Sequence, residues 1–330
     1  MNDEIMVSVC CLVYNHEKYL RQCLDGFMMQ KTNFKFEVLI HDDASTDGSP
    51  DIIREYEKKY PDIIKPIFQK ENQHSKGVRI SWIYQYPRAK GKYIALCEGD
   101  DFWIDENKLQ VQYDALEKNK NCVFCTSKVQ IISESGEEIN QVYPNENYTS
   151  SLINGQDIIS TLISDNLYPF QTSSYFFIST VISDLFFQMP EYYKKFKVGD
   201  TPLMLLYATK GSFYYIDKIM SCYRRNSDYS FSKKYDSNTS YKISVICAKI
   251  DALKEYDRFT DNKYTDAIQL RCLCEEYRCL NLKKDYKAML DRKYRICAKK
   301  QPFKERVYIR FFALFPRFES IYQRIRGKNK

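Results

Sequence analysis

Three carboxylates fall within four residues at Glu98-Gly99-Asp100-Asp101, immediately after the apolar run Tyr93 to Cys97. Adjacent Asp side chains repel each other unless a cation or hydrogen-bond donors compensate them. Hard oxygen ligands of this kind favour Mg²⁺ or Mn²⁺ bridging to a substrate phosphate. A solvated polar turn would hold the same residues with no such chemistry. A second acidic pair, Asp42-Asp43, closes the run Phe36 to His41 and leads into Ala-Ser-Thr-Asp-Gly-Ser-Pro. Another acid, Asp200, stands in Val198-Gly199-Asp200-Thr201-Pro202, where it can cap the apolar helix that follows.

The elements around these acids decide where they point. Tyr93 to Cys97 follows a turn at Gly91 and is almost wholly apolar, the pattern of a strand covered on both faces. Its acids therefore sit at a carboxyl end, where the loops of a parallel sheet diverge and leave a crevice. Val7 to Tyr14 is a second continuous apolar run, broken by Asn15-His16-Glu17. Tyr19, Leu20, Cys23, Leu24, Phe27 and Met28 then recur at helical spacing. After the strand Phe36 to His41, Ser49 and Pro50 open a helix with Ile52, Ile53 and Tyr56 on its inner face, stopped by Pro61. A strand near Ile63 to Phe68, a polar loop Glu71 to Gly77 and a helix near Val78 to Arg88 lead back to Gly91. Strand and helix alternate, so residues 1–120 form an α/β half with right-handed crossovers.

Beyond Asn119 the pattern changes. Asp105 caps a helix through Leu109, Tyr113 and Leu116; Cys122 to Ser133 reads as a strand, with Glu138 to Tyr143 returning after Ser135-Gly136. Asn145 to Ser151 is a polar loop, Gln156 to Ile163 a helix and Thr172 to Ile178 a strand. The Asp200 helix closes at Lys210-Gly211. Phe213 to Ile216 and Ile219 to Tyr223 suggest a hairpin, and the polar stretch Arg224 to Asp236 a mobile lid. Residues 121–236 complete the first domain, and 237–330 form a helical extension with a basic tail. In that tail Val307, Phe311 and Leu314 lie among Lys304, Arg306 and Arg310, with Phe318, Ile321 and Ile325 among Arg317, Arg324 and Arg326. Such a basic, aromatic pattern suits either packing on the parent domain or a peripheral contact with an anionic membrane through 303–326.

Composition narrows the class. Of 330 residues, 44% are hydrophobic and 15% aromatic, which excludes a disordered chain and supports a sizeable core. The opening Met1-Asn-Asp-Glu-Ile has no basic segment before a long apolar run, and no stretch of about 18 apolar residues occurs, so neither a cleaved signal nor a membrane span is expected. Twelve cysteines in such a chain are expected to be reduced, buried and cytoplasmic. Cys122-Val-Phe-Cys125 has zinc spacing without a second pair, and Cys272, Cys274 and Cys279 lack it, so no structural metal is expected. The net charge of +7 lies largely in the tail, which by itself does not make a nucleic-acid binder.

Taken together, Val9 to Glu17 (VCCLVYNHE), Leu39 to Gly48 (LIHDDASTDG), Gly91 to Trp103 and Gly199-Asp200 resemble the family 2 glycosyltransferases of the GT-A fold, in the same order and over roughly residues 5 to 225. The wording Glu-Gly-Asp-Asp-Phe-Trp is similar to that of bacterial capsule and surface-polysaccharide transferases. The resemblance implies an α/β fold with a Rossmann-like nucleotide half and an acceptor half around one mixed central sheet. It implies that Tyr14, with Asn15 and Glu17 in its turn, lies against the nucleotide base and that Asp43 bonds base or ribose. Asp100 and Asp101 would handle the ribose and a divalent cation, Mn²⁺ or Mg²⁺, on the diphosphate, and Asp200 would be the general base of an inverting transfer.

The implied partners are a nucleotide sugar, UDP-linked, and a lipid-linked glycan acceptor. The implied place is the cytoplasm, at the inner face of the membrane. A non-catalytic scaffold of the same fold in a polysaccharide assembly complex is the alternative. The sequence departs from the family where an Ala-Arg-Asn segment is common and Ser81-Trp82-Ile83 stands instead, which moves the expected phosphate contact to Lys76, Arg79 or Arg224. It also lacks the Gln-x-x-Arg-Trp signature of processive members, which implies one sugar per encounter. A nucleotidyltransferase, a dehydrogenase or a P-loop enzyme would need a Gly-rich phosphate loop, and none follows a strand here.

Overall fold

Four apolar runs become parallel strands in the spatial order β3-β2-β1-β4: β1 (Ile5–Val13), β2 (Lys35–Asp42), β3 (Ile64–Phe68) and β4 (Tyr93–Leu96). Helices α1 (Glu17–Met28) and α2 (Ser49–Lys59) make the crossovers, each burying one apolar stripe. The computed structural model describes residues 4–144, 149–164, 170–225 and 230–318. Most of the loop expected from Asn145, the middle of the segment from Arg224 to Asp236, and the tail beyond Phe318 lie outside the described residues.

The parallel half is locked at its amino end by a buried polar node. Ser8 Oγ donates to Glu37 Oε1 at 2.7 Å, and the Gly91 amide donates to Ser8 Oγ at 2.9 Å. A Cβ on Gly91 would lie 2.5 Å from the Ser8 nitrogen, so only glycine lets the turn approach this closely.

Past β4 the sheet becomes mixed. It continues through β5 (Phe102–Trp103), α3 (Lys108–Lys118), β6 (Cys122–Ile132), β7 (Glu138–Tyr143), β8 (Ser151–Ile153), α4 (Gly155–Ser164), β9 (Phe176–Ile178), α5 (Thr180–Ser183), α6 (Glu191–Lys195), α7 (Asp200–Ala208) and β10 (Ser212–Arg224). In space β4 is followed by β9, β6, β10 and β5, with β9 antiparallel to both neighbours and β6 parallel to β10. Phe124 stacks on Phe177 and Phe213 in the middle of this half.

Four local expectations change. The expected hairpin is one strand, β10, whose register against β6 slips between Ile216 and Ile219. Asp217 and Lys218 bulge to the surface there, held by ion pairs to Lys128 and Asp105. Val78 to Arg88 is a π turn at Ser81–Gln85 followed by a 3₁₀ turn at Tyr86–Arg88. Pro87 lacks a donor for a regular helix, and the buried Gln85 Nε2 bonds the carbonyls of Cys11 and Leu39 at 2.9 and 3.0 Å. Thr172 to Ser174 is a 3₁₀ turn because Ser174 is drawn into buried bonds with Thr126 and Gln112. The expected lid begins with a buried residue, Arg224, and ends in a helix, α8 (Phe231–Ser237).

Contacts divide the chain into two compact units, Met1–Lys194 with Val198–Lys234, and Lys195–Lys197 with the chain from Tyr235 onward. The second unit is helical: α9 (Thr239–Phe259), α10 (Thr265–Leu282), α11 (Tyr286–Met289), α12 (Arg295–Lys299) and α13 (Phe303–Leu314). Tyr277, Tyr286, Met289, Tyr294, Cys297, Ile309 and Phe312 form its aromatic core. No helix among the described residues is long and apolar enough to cross a membrane.

Candidate active site

Register brings the acidic strand ends together. Val13 of β1 pairs with Asp42 of β2, and Cys10 pairs with Leu96 of β4, so both acidic loops leave the sheet beside the Tyr14 turn. The Gly99 amide donates to the Leu12 carbonyl at 2.8 Å, and a Cβ on Gly99 would come within 2.8 Å of His16 Nδ1 and 3.0 Å of Val13 Cγ2. Glycine therefore lets the Glu98–Asp101 loop lie against the turn. Its far end is anchored by Trp103, 2% exposed, whose Nε1 donates to the Ser173 carbonyl at 3.0 Å and whose ring meets Phe27 edge-on at 4.7 Å.

The Tyr14 turn is clamped to the loop after β2. Asn15, at φ 56°, donates its amide to Ser45 Oγ at 2.9 Å and accepts from the Thr46 amide at 2.7 Å. Glu17 Oε2 accepts from the Gly48 amide at 2.9 Å. Tyr14 itself is half-buried. Asp43, 3% exposed, accepts from the amides of Gln73 and His74 at 2.7 and 3.0 Å and so fixes the loop after β3. One turn, one carboxylate and two loops thus form a continuous rim.

The three acids after β4 divide by environment. Asp101 is 2% exposed and its Oδ1 accepts from the Arg224 amide at 2.9 Å. Burial first, and then the neighbouring Asp100, Cys97 and Glu98, hold it well above the ordinary carboxylate range. Glu98 is the most open of the three. Partial withdrawal of water, and then repulsion by Asp100 and Asp200, hold its carboxyl above the ordinary glutamate range. Its solvent contact moderates the first cause and leaves the like charges intact. Asp200 is half-buried at the start of α7, where its Oδ1 accepts from the Thr201 amide at 2.6 Å. Glu98, Asp100 and Asp200 therefore share one electrostatic neighbourhood, with Asp101 behind them.

The three residues expected to contact phosphate each have protein partners. Arg224 is 4% exposed; its guanidinium donates to the carbonyls of Asp100 at 3.1 Å and Glu134 at 3.0 Å and to Gln22 Oε1 at 3.0 Å, and lies 4.5 Å over the Tyr19 ring. It braces the acidic loop from beneath. Arg79 Nη2 donates to the Lys194 carbonyl at 3.1 Å, and Lys76 pairs with Glu71.

Two residues near the acids have no role assigned from the sequence. Glu98 is visible in the sequence as the first acid of the cluster, but the influence of Asp200 on its carboxyl comes only with the fold. Tyr223, next to Arg224 on β10, lies in the field of Asp101, Glu98 and Asp100, and burial followed by those charges pushes its phenol up. The alternation of side chains along a strand is the signal that places Tyr223 opposite Arg224.

Among the described residues no group of three or more His, Cys, Asp or Glu side chains is arranged to hold a metal ion. The acids still fit a cation of the Mg²⁺ or Mn²⁺ type, which binds through one or two carboxylates and completes its shell with substrate phosphates and water. Repulsion among Glu98, Asp100 and Asp200 is what such a cation would relieve.

The family model described as Glycosyl transferase family 2 matches residues 8–173. An uncharacterized protein of Mycobacterium tuberculosis is 41% identical over 138 residues, 42% of this chain and 39% of that protein. In Bacillus subtilis, EpsH, named as a glycosyltransferase, is 32% identical over 46% of this chain and 43% of its own length. TuaG, named for teichuronic acid biosynthesis, is 28% identical over 40% and 49%. The matched stretch thus spans less than half of each of these relatives. S. aureus TarS 1–349 in complex with UDP-GlcNAc superposes with a TM-score of 0.55 at 18% identity, covering 94% of this chain and 88% of that one. The mannosyltransferase PcManGT from Pyrobaculum calidifontis, in complex with GDP-Man and Mn²⁺, gives 0.55 at 14% identity, covering 95% and 81%. At these identities the likeness speaks to the fold, which is of the GT-A type.

Proposed function

The chain belongs to glycosyl transferase family 2, and we propose that it moves one hexosyl or N-acetylhexosaminyl group, with inversion, from a UDP-linked sugar to a hydroxyl of a lipid-linked glycan. The pathway would be surface polysaccharide biosynthesis (capsule, O-antigen or exopolysaccharide), on the cytoplasmic side. One observation carries the reading: strand register sets the loops of Asp42-Asp43 and Glu98–Asp101 side by side at the Tyr14 turn, where the Gly99 amide bonds the Leu12 carbonyl. The reading sets Asp200, suited to the acceptor, across from these acids, suited to the diphosphate, and the influence of Asp200 on the Glu98 carboxyl supports it. Support for the donor class comes from the nucleotide sugars held by TarS and the mannosyltransferase, and for the pathway from the name of TuaG.

In this reading Tyr14 lies against the base, and Asp43 accepts from base or ribose while Asn15 and Glu17 keep the turn closed. Asp100 serves ribose and cation with Glu98 beside it, and Asp101, one oxygen of which accepts from the Arg224 amide, would supply the second carboxylate to the cation. A divalent cation, when bound, supplies charge neutralisation for the departing nucleoside diphosphate. Asp200 takes the proton of the acceptor hydroxyl as that oxygen forms the new bond to the anomeric carbon. The bond from that carbon to the diphosphate breaks, and its electron pair leaves with the phosphate.

The test pairs titration calorimetry, using UDP and Mn²⁺, with turnover on a set of nucleotide sugars. Asp100→Asn is expected to lose the Mn²⁺-dependent heat. Asp200→Asn is expected to bind within about threefold of the parent while turnover falls by roughly 10²-fold or more, the range for removing a general base. Normal turnover in Asp200→Asn would overturn the base assignment. Absence of saturable heat in the parent protein with any nucleoside diphosphate would favour a scaffold.

A further inference from the structure

Helix α13 has two apolar faces, and among the described residues only one of them is used by the fold. Ile309 and Phe312, 3% and 4% exposed, dock it into the aromatic core of the helical unit. Phe303, Val307, Phe311 and Leu314 recur at intervals of four, four and three, which places them in one stripe on the opposite side. They are 71%, 49%, 45% and 71% exposed. Phe315 and Phe318 extend the patch, packing on Phe311 with ring centroids 5.2 and 6.4 Å away while remaining 48% and 54% exposed. An apolar face of this size next to a core that does not use it marks a contact surface.

The charges beside the stripe select its occupant. At 100° per residue Lys304 and Arg310 fall on its two flanks, where long stems can lie along apolar surface while the cations reach outward. Between Arg292 and Phe318 there are nine basic residues and a single acid, Glu305, in a chain whose net charge is +7. A protein partner or a second copy would need matching acids on its own face. A nucleic acid gives no place for six apolar side chains. A bilayer surface with anionic headgroups satisfies both features at once: acyl chains take the stripe and phosphates take the flanking cations.

We infer that the exposed face of α13, continued by Phe315 and Phe318, docks the protein on the anionic surface of a lipid bilayer, lying in the plane of the interface. The inference is independent of the sugar-transfer reading, since it uses none of the cleft residues.

The test uses the full chain with vesicles of phosphatidylcholine alone or with 30% phosphatidylglycerol, read by co-sedimentation. The parent protein is expected to sediment with the anionic vesicles, to be released by salt, and to ignore the neutral ones. Each basic residue near an anionic surface contributes about 1 kcal/mol, about fivefold, so Lys304→Gln with Arg310→Gln should weaken binding by roughly 25-fold. Phe311→Trp, which keeps an aromatic at the stripe, should show a blue shift in added emission on anionic vesicles, and Phe303→Ser with Leu314→Ser should abolish sedimentation while circular dichroism stays unchanged. Failure of the parent to bind anionic vesicles at low salt would overturn the inference. So would an unshifted Phe311→Trp emission, or a dimer in the parent that Leu314→Ser dissociates without any vesicle binding.

Discussion

Lys108 shows how tightly single side chains are held around the acidic loop. It is fully buried, donates to Gln112 Oε1 at 2.6 Å and lies 4.3 Å over the Trp103 ring. Burial lowers its ammonium from the usual 10.5 to about 8. Between those values the unfolded chain binds a proton that the folded protein has released, so this group makes the fold more stable as pH rises through about 8 and less stable below. The free energy of the parent relative to Lys108→Met should therefore rise on the order of 2 kcal/mol from pH 7 to pH 10, measured by urea unfolding. A flat difference would mean that Lys108 keeps its ordinary affinity for the proton and stays as charged in the folded protein as in the unfolded chain. Nothing in the sequence marks Lys108 as buried, since it follows Asn107 in an ordinary helix start. The acids after β2 and β4 were readable because each pair ends an apolar run, a pattern set by the chain itself. Their division into open Glu98 and covered Asp101 was not, because it depends on Arg224, which arrives from the far end of the domain.

At the scale of elements, β10 carries the bond that sequence could not supply. Arg224 ends that strand, and its guanidinium holds Asp100, Ser133, Glu134 and Gln22 in a single fork. Lysine keeps the charge and loses the fork. Arg224→Lys is thus expected to lower stability by about 2 kcal/mol, the loss of two or so buried hydrogen bonds, and to weaken nucleoside diphosphate binding in proportion. A residue that only contacted phosphate would weaken binding with no change in the melting temperature, so scanning calorimetry beside the titration separates the two. Strands of the parallel half were legible because burial on both faces writes a continuous apolar run. The hairpin expectation failed at Asp217-Lys218, where two polar residues look like a turn but are a bulge held by ion pairs. The π turn at Ser81–Gln85 was equally hidden, because its cause is Gln85 reaching the carbonyls of two strands.

For the whole molecule, the division into two units is itself a physical statement. The first unit holds both tryptophans, Trp82 and Trp103, and the second unit none, so fluorescence follows the sheet alone. The second unit has a separate buried centre: Glu275, 2% exposed, sits 2.7 Å from Arg271 Nη2 and 3.1 Å from Lys249 Nζ, with Arg278 Nη1 at 3.7 Å. Three cations gather round one carboxylate, and burial lowers Lys249 to about 8, so the cluster depends on the acid. Removing one partner of a buried ion pair leaves uncompensated charge and typically costs about 3 to 5 kcal/mol. In Glu275→Ala the urea midpoint seen by far-ultraviolet circular dichroism, which reports largely on helices, should fall steeply. The midpoint seen by tryptophan fluorescence should stay where it was, and nucleoside diphosphate binding with it, because neither depends on the second core. Coincident shifts of both midpoints would show instead that the two cores melt as one cooperative body.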